Sequence, residues 1–279
     1  MSSSNATQRL LSAKGFIFDV DGTLALADKK LSGYQALPGA VELIELLQKR
    51  GIPVAAFTNG STKHPRVLNG ELANIGLRLE EQLTLTPVSI AVTLFQQKRY
   101  KKILVLGGEG VSSPLIEAGF DVVRAPARAD DADAVFIGWY PDFSLPDLEA
   151  ATRAIWNGAA FFTVSKAPYV ASREGRTIGI SGAISAAIKS ITGKNAVIVG
   201  KPSAPALKVA CERLNISPKD IVIVGDDPGL ENAMAVRGGS VSVGVHTGLA
   251  KAEDFAALAQ DIQPHFSLSG IDKLLEMLK

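Results

Sequence analysis

The chain has 279 residues, of which 47% are hydrophobic and 20% are charged, so it can bury one large core or two cores of ordinary size. Its 29 Lys and Arg side chains nearly balance its 28 Asp and Glu side chains, and the net charge of +1 excludes an overall field that would attract nucleic acid or an acidic membrane surface. A single cysteine, Cys211, excludes an internal disulfide and is typical of a reducing compartment.

The N-terminal residues 1–14 are rich in serine and contain no long apolar run, which argues against a signal peptide or a membrane anchor. No later segment approaches the length of apolar chain that crosses a bilayer. We therefore expect a cytoplasmic protein that has neither a membrane nor a nucleic-acid partner.

The first 86 residues alternate between strand and helix. A strand that ends at Phe18 is followed by a helix over residues 40–50, a strand over residues 52–57 and a helix that begins near Pro65. Polar side chains gather directly after each of these strands. This order is typical of a parallel α/β sheet whose functional site lies along one edge.

Residues 87–195 repeat this alternation but place few acids or hydroxyls after their strands. The expected helices cover residues 88–98, 114–118, 145–156 and 183–191, and the expected strands cover residues 103–106, 134–137 and 161–164. We interpret this block as a second α/β unit that is inserted into the first.

Residues 196–279 return to the pattern of the opening segment. A strand over residues 196–199 precedes Lys201, and a strand over residues 221–224 leads into Asp226 and Asp227. The other expected elements are helices over residues 204–214, 230–236 and 271–278 and a strand over residues 240–245. The predicted organisation is a core domain formed by residues 1–86 and 196–279, with residues 87–195 inserted between its two parts.

Two carboxylates stand at the end of the first strand, which is apolar from Phe16 to Phe18, as buried parallel strands are. Asp19 and Asp21 point to the same side of an extended chain, because side chains alternate with a period of two. Each would raise the pKa of the other unless a cation lies between them, and Mg²⁺ prefers oxygen ligands of this kind. The alternative is a solvated turn, since Asp-Gly is a common turn pair.

Four clusters of polar side chains follow predicted strands: Asp19 with Asp21, Thr58 with Asn59, Lys201, and Asp226 with Asp227. In a parallel sheet all four can meet at one edge, although they are far apart in the sequence. The acids can hold Mg²⁺, the groups after the second strand can donate to an oxyanion, and the lysine adds positive charge. This combination indicates phosphoryl transfer. In such a site one acid can attack as a nucleophile and the other can transfer protons.

These residues resemble the four ordered motifs of the haloacid dehalogenase superfamily. The motifs are Asp19-Val20-Asp21-Gly22-Thr23, Thr58-Asn59, Lys201-Pro202, and Gly225-Asp226-Asp227 with Glu231 beyond them. The inserted unit occupies the position of a C2-type cap, and Leu37-Pro38-Gly39-Ala40 and Gly179-Ile180-Ser181-Gly182-Ala183 look like the NagD-like, para-nitrophenyl-phosphatase-like branch. The resemblance runs from Gly15 to about Gly248 and implies a doubly wound, Rossmann-like core with an inserted α/β cap.

The resemblance also implies a Mg²⁺-dependent phosphatase that forms an aspartyl phosphate. Asp19 would be the nucleophile, and Asp21 would act as general acid and base while its backbone carbonyl binds the metal. The implied phosphate-binding residues are Thr58, the Asn59 backbone and Lys201. The implied metal ligands are Asp19, Asp21 and Asp226, with Asp227 or Glu231 in or just outside the coordination sphere. The cap would close over a small phosphorylated metabolite, exclude water and select the leaving group.

One part of the cap departs from the family pattern. Where related sequences often have an Asn-x-Asp element after a cap strand, this chain has Ser165 and Lys166. We expect Lys166, with Arg173 and Arg176, to meet a negative or polar part of the leaving group. A solvated loop of basic residues is the alternative.

Other functions stay open on the sequence alone. A dehalogenase would need neither the second acid nor a metal, whereas a phosphomutase or other phosphotransferase would keep both and pass the phosphoryl group to an acceptor other than water. A non-catalytic binding protein is a further alternative, because a fold alone does not establish a function. A homodimer is also compatible with the sequence.

Overall fold

A computed structural model describes residues 3–27, 33–172, 175–248 and 250–279 of the chain. The helices are α1 (Ser3–Leu11), α2 (Ala40–Lys49), α3 (Pro65–Asn74), α4 (Pro87–Gln97), α5 (Glu109–Glu117), α6 (Leu145–Trp156), α7 (Ile180–Thr192), α8 (Ala204–Leu214), α9 (Ala233–Gly238), α10 (Ala252–Ala256) and α11 (Ile271–Leu278). The strands are β1 (Gly15–Phe18), β2 (Ala25–Leu26), β3 (Gln35–Ala36), β4 (Val54–Phe57), β5 (Thr84–Leu85), β6 (Lys102–Leu106), β7 (Asp121–Arg124), β8 (Ala134–Ile137), β9 (Ala160–Thr163), β10 (Tyr169–Ser172), β11 (Gly175–Ile178), β12 (Val197–Ile198), β13 (Ile221–Gly225), β14 (Val241–Val245) and β15 (Phe266–Leu268). Within these ranges no helix is both long enough and apolar enough to cross a membrane.

The first sheet has six parallel strands in the order β15-β14-β13-β1-β4-β5. Its central strands are buried throughout, because helices cover both faces. Alternate residues of β1 serve the two faces, so that Ile17 packs with α8 and α9 while Phe16 and Phe18 pack with α2 and α11. This arrangement confirms the predicted doubly wound parallel core.

The second sheet has five parallel strands in the order β12-β9-β8-β6-β7. Its buried side chains pack with α6 and α7 on one face and with α4 and α5 on the other. The inserted α/β cap is thereby confirmed. The predicted boundary at residue 195 is too early, because β12 forms its hydrogen bonds with β9 of the cap sheet.

Three local features differ from the sequence-based expectations. Helix α5 begins at Glu109 rather than at Pro114, which lies inside the helix. The hairpins β2–β3 and β10–β11 have strands of two and four residues, and the shorter strands offer too few positions for a periodic pattern to be recognised. The serine-rich start forms α1, whose Arg9 donates to two backbone carbonyls of the core.

One contact between core and cap is an apolar cluster around α4. Phe95 of this helix is fully buried, and its ring centroid lies 4.9 Å from that of Phe162 and 5.6 Å from that of Phe136, both in the cap sheet. The same continuous cluster contains Ile17 of β1 and Ala55 of β4. The two sheets therefore share part of one hydrophobic core on this side.

The second contact is polar and lies in residues 60–66, directly after β4. The Ser61 hydroxyl accepts a hydrogen bond from the backbone N–H of Trp139 in the cap (2.9 Å). His64 Nε2 lies 3.3 Å from a carboxylate oxygen of Glu117 at the end of α5. This polar contact places the cap over the carboxyl edge of the first sheet.

Gly110 allows α5 to approach the core closely at this contact. A Cβ atom at this position would lie 2.4 Å from the carbonyl carbon of Thr62 and 2.5 Å from the amide nitrogen of Lys63, so backbone would have to move. We expect Gly110→Ala to lower the free energy of unfolding by about 1–3 kcal/mol in urea denaturation and to enlarge the radius of gyration in small-angle scattering. Gly108→Ala is the matched control, because a Cβ there meets no atom within 4 Å. An equal loss of unfolding free energy in Gly110→Ala and Gly108→Ala would contradict this account.

Candidate active site

The chain turns sharply after β1 and holds two acids at the carboxyl edge of the first sheet. The amide of Asp19 still donates to the Val224 carbonyl of β13 (2.9 Å), so strand pairing continues up to this residue. Gly22 has a φ of +96°, a region that favours glycine, and its amide donates to the Ala25 carbonyl (2.9 Å). The tight loop brings Asp21 back over the sheet edge beside Asp19, and both acids line one cavity.

Asp21 is held by the residue that follows the neighbouring strand β4. The Thr58 hydroxyl donates to Oδ2 of Asp21 (3.0 Å), whereas the buried Oδ1 has no hydrogen-bond partner in the part of the chain that the structure describes. Burial, with a further contribution from the charge of Asp19, raises the pKa of Asp21 to about 7. One oxygen is thus fixed and the other is available to exchange a proton near neutral pH.

Lys201 is buried between two acids from different parts of the chain. Its ammonium group contacts a carboxylate oxygen of Asp19 and lies 2.6 Å from Oε1 of Glu231. Burial alone would lower the pKa of Lys201, but the charges of Asp19 and Glu231 outweigh this effect and raise it. For both acids, burial outweighs the attraction to Lys201, so the pKa of each is raised, that of Glu231 to about 7.

The side chain of Asn59 fixes the backbone of Lys201 rather than facing open solvent. Its Oδ1 accepts a hydrogen bond from the Lys201 amide (2.8 Å), and its Nδ2 donates to the Lys201 carbonyl (3.1 Å). A Cβ on Gly200 would lie 2.4 Å from this Oδ1, so glycine allows the close approach. The predicted proximity of Asn59 and Lys201 is therefore present, and the Asn59 side chain is occupied in positioning the lysine.

The acids after β13 have separate environments. Asp227 Oδ1 accepts a hydrogen bond from the Gly229 amide (2.7 Å), and the Asp227 amide donates to Oε2 of Glu231 (3.3 Å). Glu231 reaches Lys201 because Gly225 has no Cβ, which would otherwise lie 2.1 Å from its Cγ. Glu231 forms an ion pair with Lys201, and both Asp227 and Glu231 line the same cavity as Asp19.

Asp226 is only 6% exposed and lines the same cavity as Asp19. Two glycines make room for it, since a Cβ on Gly22 would lie 2.7 Å from Asp226 Oδ2 and a Cβ on Gly248 would lie 1.6 Å from the same oxygen. The two glycines thus leave room for Oδ2 of Asp226 beside the loop that carries Asp21.

The donor atoms at this edge fit a hard divalent cation. Among the described residues, no three His, Cys, Asp or Glu side chains are grouped to enclose a metal by themselves. Mg²⁺ does not need such a group, because it is usually held by one or two carboxylates together with water and phosphate oxygens. The carboxylates of Asp19 and Asp226 and the backbone carbonyl of Asp21 supply an all-oxygen set of this kind.

A cavity of about 350 Å³ opens from these residues towards the cap. Its lining includes Tyr34 from the start of β3, Leu230 from the turn after β13, and Trp139, Tyr169 and Ile180 from the cap. No sequence pattern predicted a role for Tyr34. Ile180 belongs to a motif that indicated the family, but nothing in its residue type pointed to the cavity.

The two cap residues predicted to select the substrate lie in different places. Ser165 lines the cavity and is 6% exposed, and its hydroxyl accepts a hydrogen bond from the Ala167 amide (3.0 Å). Lys166 donates from Nζ to the Ala196 carbonyl (2.9 Å) and is not part of the cavity lining. Arg173, and the side chain of Arg176, lie outside the described residues.

A wider groove of about 500 Å³ runs along α8, away from the strand ends. Cys211 lies there, where burial raises the pKa of its thiol to about 11. A thiol that stays protonated is a weak nucleophile. Cys211 also packs in the apolar cluster of the core, as a small core residue does.

Two regions of the chain match models of one family. Residues 16–121 match haloacid dehalogenase-like hydrolases, and residues 198–274 match the HAD-hydrolase-like model. The acid sugar phosphatase of Staphylococcus haemolyticus is 28% identical over 268 residues, which are 95% of this chain and 97% of that protein.

Solved structures share the fold of nearly the whole chain. A protein from Pyrococcus horikoshii superposes with a TM-score of 0.82 at 31% identity and covers 95% of this chain and 99% of its own. NagD from Escherichia coli shares the fold, with a TM-score of 0.81 at 22% identity and coverage of 94% of this chain and 98% of its own. The chain therefore belongs to the haloacid dehalogenase superfamily of hydrolases.

Proposed function

We propose that this protein is a Mg²⁺-dependent phosphatase that hydrolyses small phosphomonoesters through an aspartyl phosphate on Asp19. The observation that carries the proposal is the buried contact between Asp19 and Lys201, with the unpartnered Oδ1 of Asp21 in the same cavity of the described structure. A nucleophile, a positive charge and a proton donor then face one space. These are the groups that transfer through a covalent intermediate requires.

In the first step, a carboxylate oxygen of Asp19 attacks the phosphorus atom of the ester. The new bond to Asp19 forms as the bond between phosphorus and the leaving-group oxygen breaks. Asp21 donates its proton from Oδ1 to that oxygen, so the leaving group departs as a neutral alcohol. Thr58 keeps Asp21 in place through its hydrogen bond to Oδ2 (3.0 Å).

In the second step, Asp21 is ionised and accepts a proton from a water molecule. The resulting hydroxide attacks phosphorus, the bond from phosphorus to Asp19 breaks, and inorganic phosphate is released. Asp21 is then protonated again, which closes the cycle. Lys201 remains beside Asp19 throughout and offsets negative charge at the point of attack.

Mg²⁺ would be held by the carboxylates of Asp19 and Asp226 and by the backbone carbonyl of Asp21. When bound, it would neutralise charge on the phosphoryl oxygens and orient the group for in-line attack. Glu231 contributes indirectly, because its ion pair with Lys201 fixes the ammonium group against Asp19. Thr58 and the backbone of Asn59 would complete the phosphoryl site.

The cavity lining supports a small metabolite as the substrate. The lining also includes Trp139, Tyr169, Ile180 and Leu230, whose apolar surface suits the carbon skeleton of a leaving group. A volume of about 350 Å³ is at the lower end of the range for small-molecule sites. The relative that is named an acid sugar phosphatase supports the same substrate class.

Asp19→Asn removes the proposed nucleophile while keeping its size and shape. We expect Mg²⁺-dependent phosphate release from a panel of phosphomonoesters to fall by about 10³-fold or more. Asp220→Asn is the control, because Asp220 is a surface residue whose side chain is 42% exposed and pairs with Lys14. Phosphate release that survives in Asp19→Asn would refute the aspartyl-phosphate mechanism, and release to another acceptor in place of water would favour a phosphotransferase.

Asp226→Asn tests the metal site by a measurement that does not depend on turnover. Mg²⁺ should raise the unfolding temperature of the wild type, and the concentration needed for this effect should rise by about tenfold or more in the variant. Asp220→Asn is again the control, because its exposed side chain pairs with Lys14 and lies outside the cavity lining. Equal Mg²⁺ dependence in wild type and Asp226→Asn would remove Asp226 from the metal site.

A further inference from the structure

We propose that the hydroxyl of Tyr34 is a hydrogen-bond donor to the leaving-group oxygen, which makes Tyr34 a further catalytic residue of the proposed phosphatase reaction. The proposal rests on that function. Tyr34 lines the cavity together with Asp19 and Asp21, although it belongs to none of the motifs that identify the family. It stands directly before β3, in the short hairpin that follows the loop of Asp21.

The Tyr34 side chain is held against Asp21 from two directions. Its hydroxyl interacts with the carboxylate of Asp21. The ammonium group of Lys63 lies over its ring, 5.1 Å from the centroid, and Lys63 is itself fixed by an ion pair with Glu71. A cation over the ring face stabilises the orientation of the phenol and draws electron density from it, which strengthens its hydroxyl as a donor.

The Tyr34 phenol carries its proton at neutral pH, because tyrosine ordinarily titrates near pH 10. Burial raises the pKa of Tyr34, and the charges of Asp21 and Glu71 raise it further. The residue can therefore donate a hydrogen bond but cannot act as a base. This separates its role from that of Asp21, which exchanges a proton with the substrate.

The leaving-group oxygen must lie within hydrogen-bond reach of Asp21 Oδ1 when it receives its proton. Tyr34 lines the same cavity, and its hydroxyl interacts with the Asp21 carboxylate; once Asp21 carries its own proton, the hydroxyl can turn from that carboxylate to the leaving oxygen. Negative charge grows on the leaving oxygen as its bond to phosphorus breaks, and a positioned neutral donor stabilises that charge. Tyr34 loses no proton in this step, so the transfer from Asp21 and the attack by Asp19 remain balanced as described.

Two esters of similar shape distinguish this role from a structural one. Phenyl phosphate has a basic leaving group, whereas the leaving group of 4-nitrophenyl phosphate stabilises its own negative charge. With Tyr34→Phe we expect kcat/KM to fall about tenfold for phenyl phosphate and less than about threefold for 4-nitrophenyl phosphate. The ratio kcat/KM reports the transfer to Asp19, so hydrolysis of the shared aspartyl phosphate does not affect the comparison.

Tyr140→Phe is the matched control, because its hydroxyl lies 3.4 Å from Asp147 in the cap and its side chain is outside the cavity lining. Tyr140→Phe should leave kcat/KM unchanged for both esters. Equal losses for both esters in Tyr34→Phe, or no loss for either, would overturn the proposal. An inactive wild type would instead refute the phosphatase function.

Lys63→Met provides a second variant if Tyr34→Phe proves unstable. It removes the charge above the ring and keeps most of the side-chain volume. We expect kcat/KM to fall about threefold for phenyl phosphate and by less for 4-nitrophenyl phosphate. A loss that is equal for the two esters would contradict the link between Lys63 and Tyr34.

Discussion

The ion pairs of one buried lysine join the separate segments of the active site. Lys201 has a side chain that is 1% exposed, and its ammonium group is shared by Asp19 after β1 and Glu231 after β13. Removal of one member of a buried ionic group leaves an uncompensated charge, which costs about 3–5 kcal/mol. Two carboxylates around one ammonium group also leave the cluster with excess negative charge if both are ionised. Additional positive charge would help an anionic substrate to bind at this cluster, which is a physical argument for the divalent cation that we propose beside Asp226.

The sheet and the convergence of the four motif clusters were predictable from the sequence. Each cluster directly follows an apolar strand, and parallel strands place their carboxyl ends at one edge. The partners within the site were not predictable to the same degree. The bond between the Asn59 amide and the Lys201 backbone joins residues 142 positions apart, and the ion pair of Glu231 depends on the missing Cβ of Gly225. Such contacts are set by the close packing of loops, which a strand pattern does not record.

Predictions for the cap were weaker because they depended on side-chain direction outside regular structure. Ser165 and Lys166 are neighbours, yet the hydroxyl of Ser165 lines the cavity while the ammonium group of Lys166 binds the Ala196 carbonyl. Tyr34 is a residue of the site that the sequence pattern did not predict. It precedes a strand of two residues, too short for a periodic pattern, so its position in the cavity could be recognised only from the folded chain.

The distribution of contacts between core and cap indicates how a substrate can enter. On one side Phe95 and its aromatic neighbours are fully or nearly fully buried, and parting them would expose apolar surface to water. On the side of the active site the contacts are polar: the hydrogen bond between Ser61 and Trp139, and the pairing of His64 with the half-exposed Glu117. Water can take over such hydrogen bonds, each of which contributes about 0.5–1.5 kcal/mol net. The cap is therefore expected to open over the cavity while its apolar side stays closed and acts as the hinge. The segment after β4 contacts both parts of the site, since Thr58 donates to Asp21 and Ser61 accepts from Trp139 of the cap.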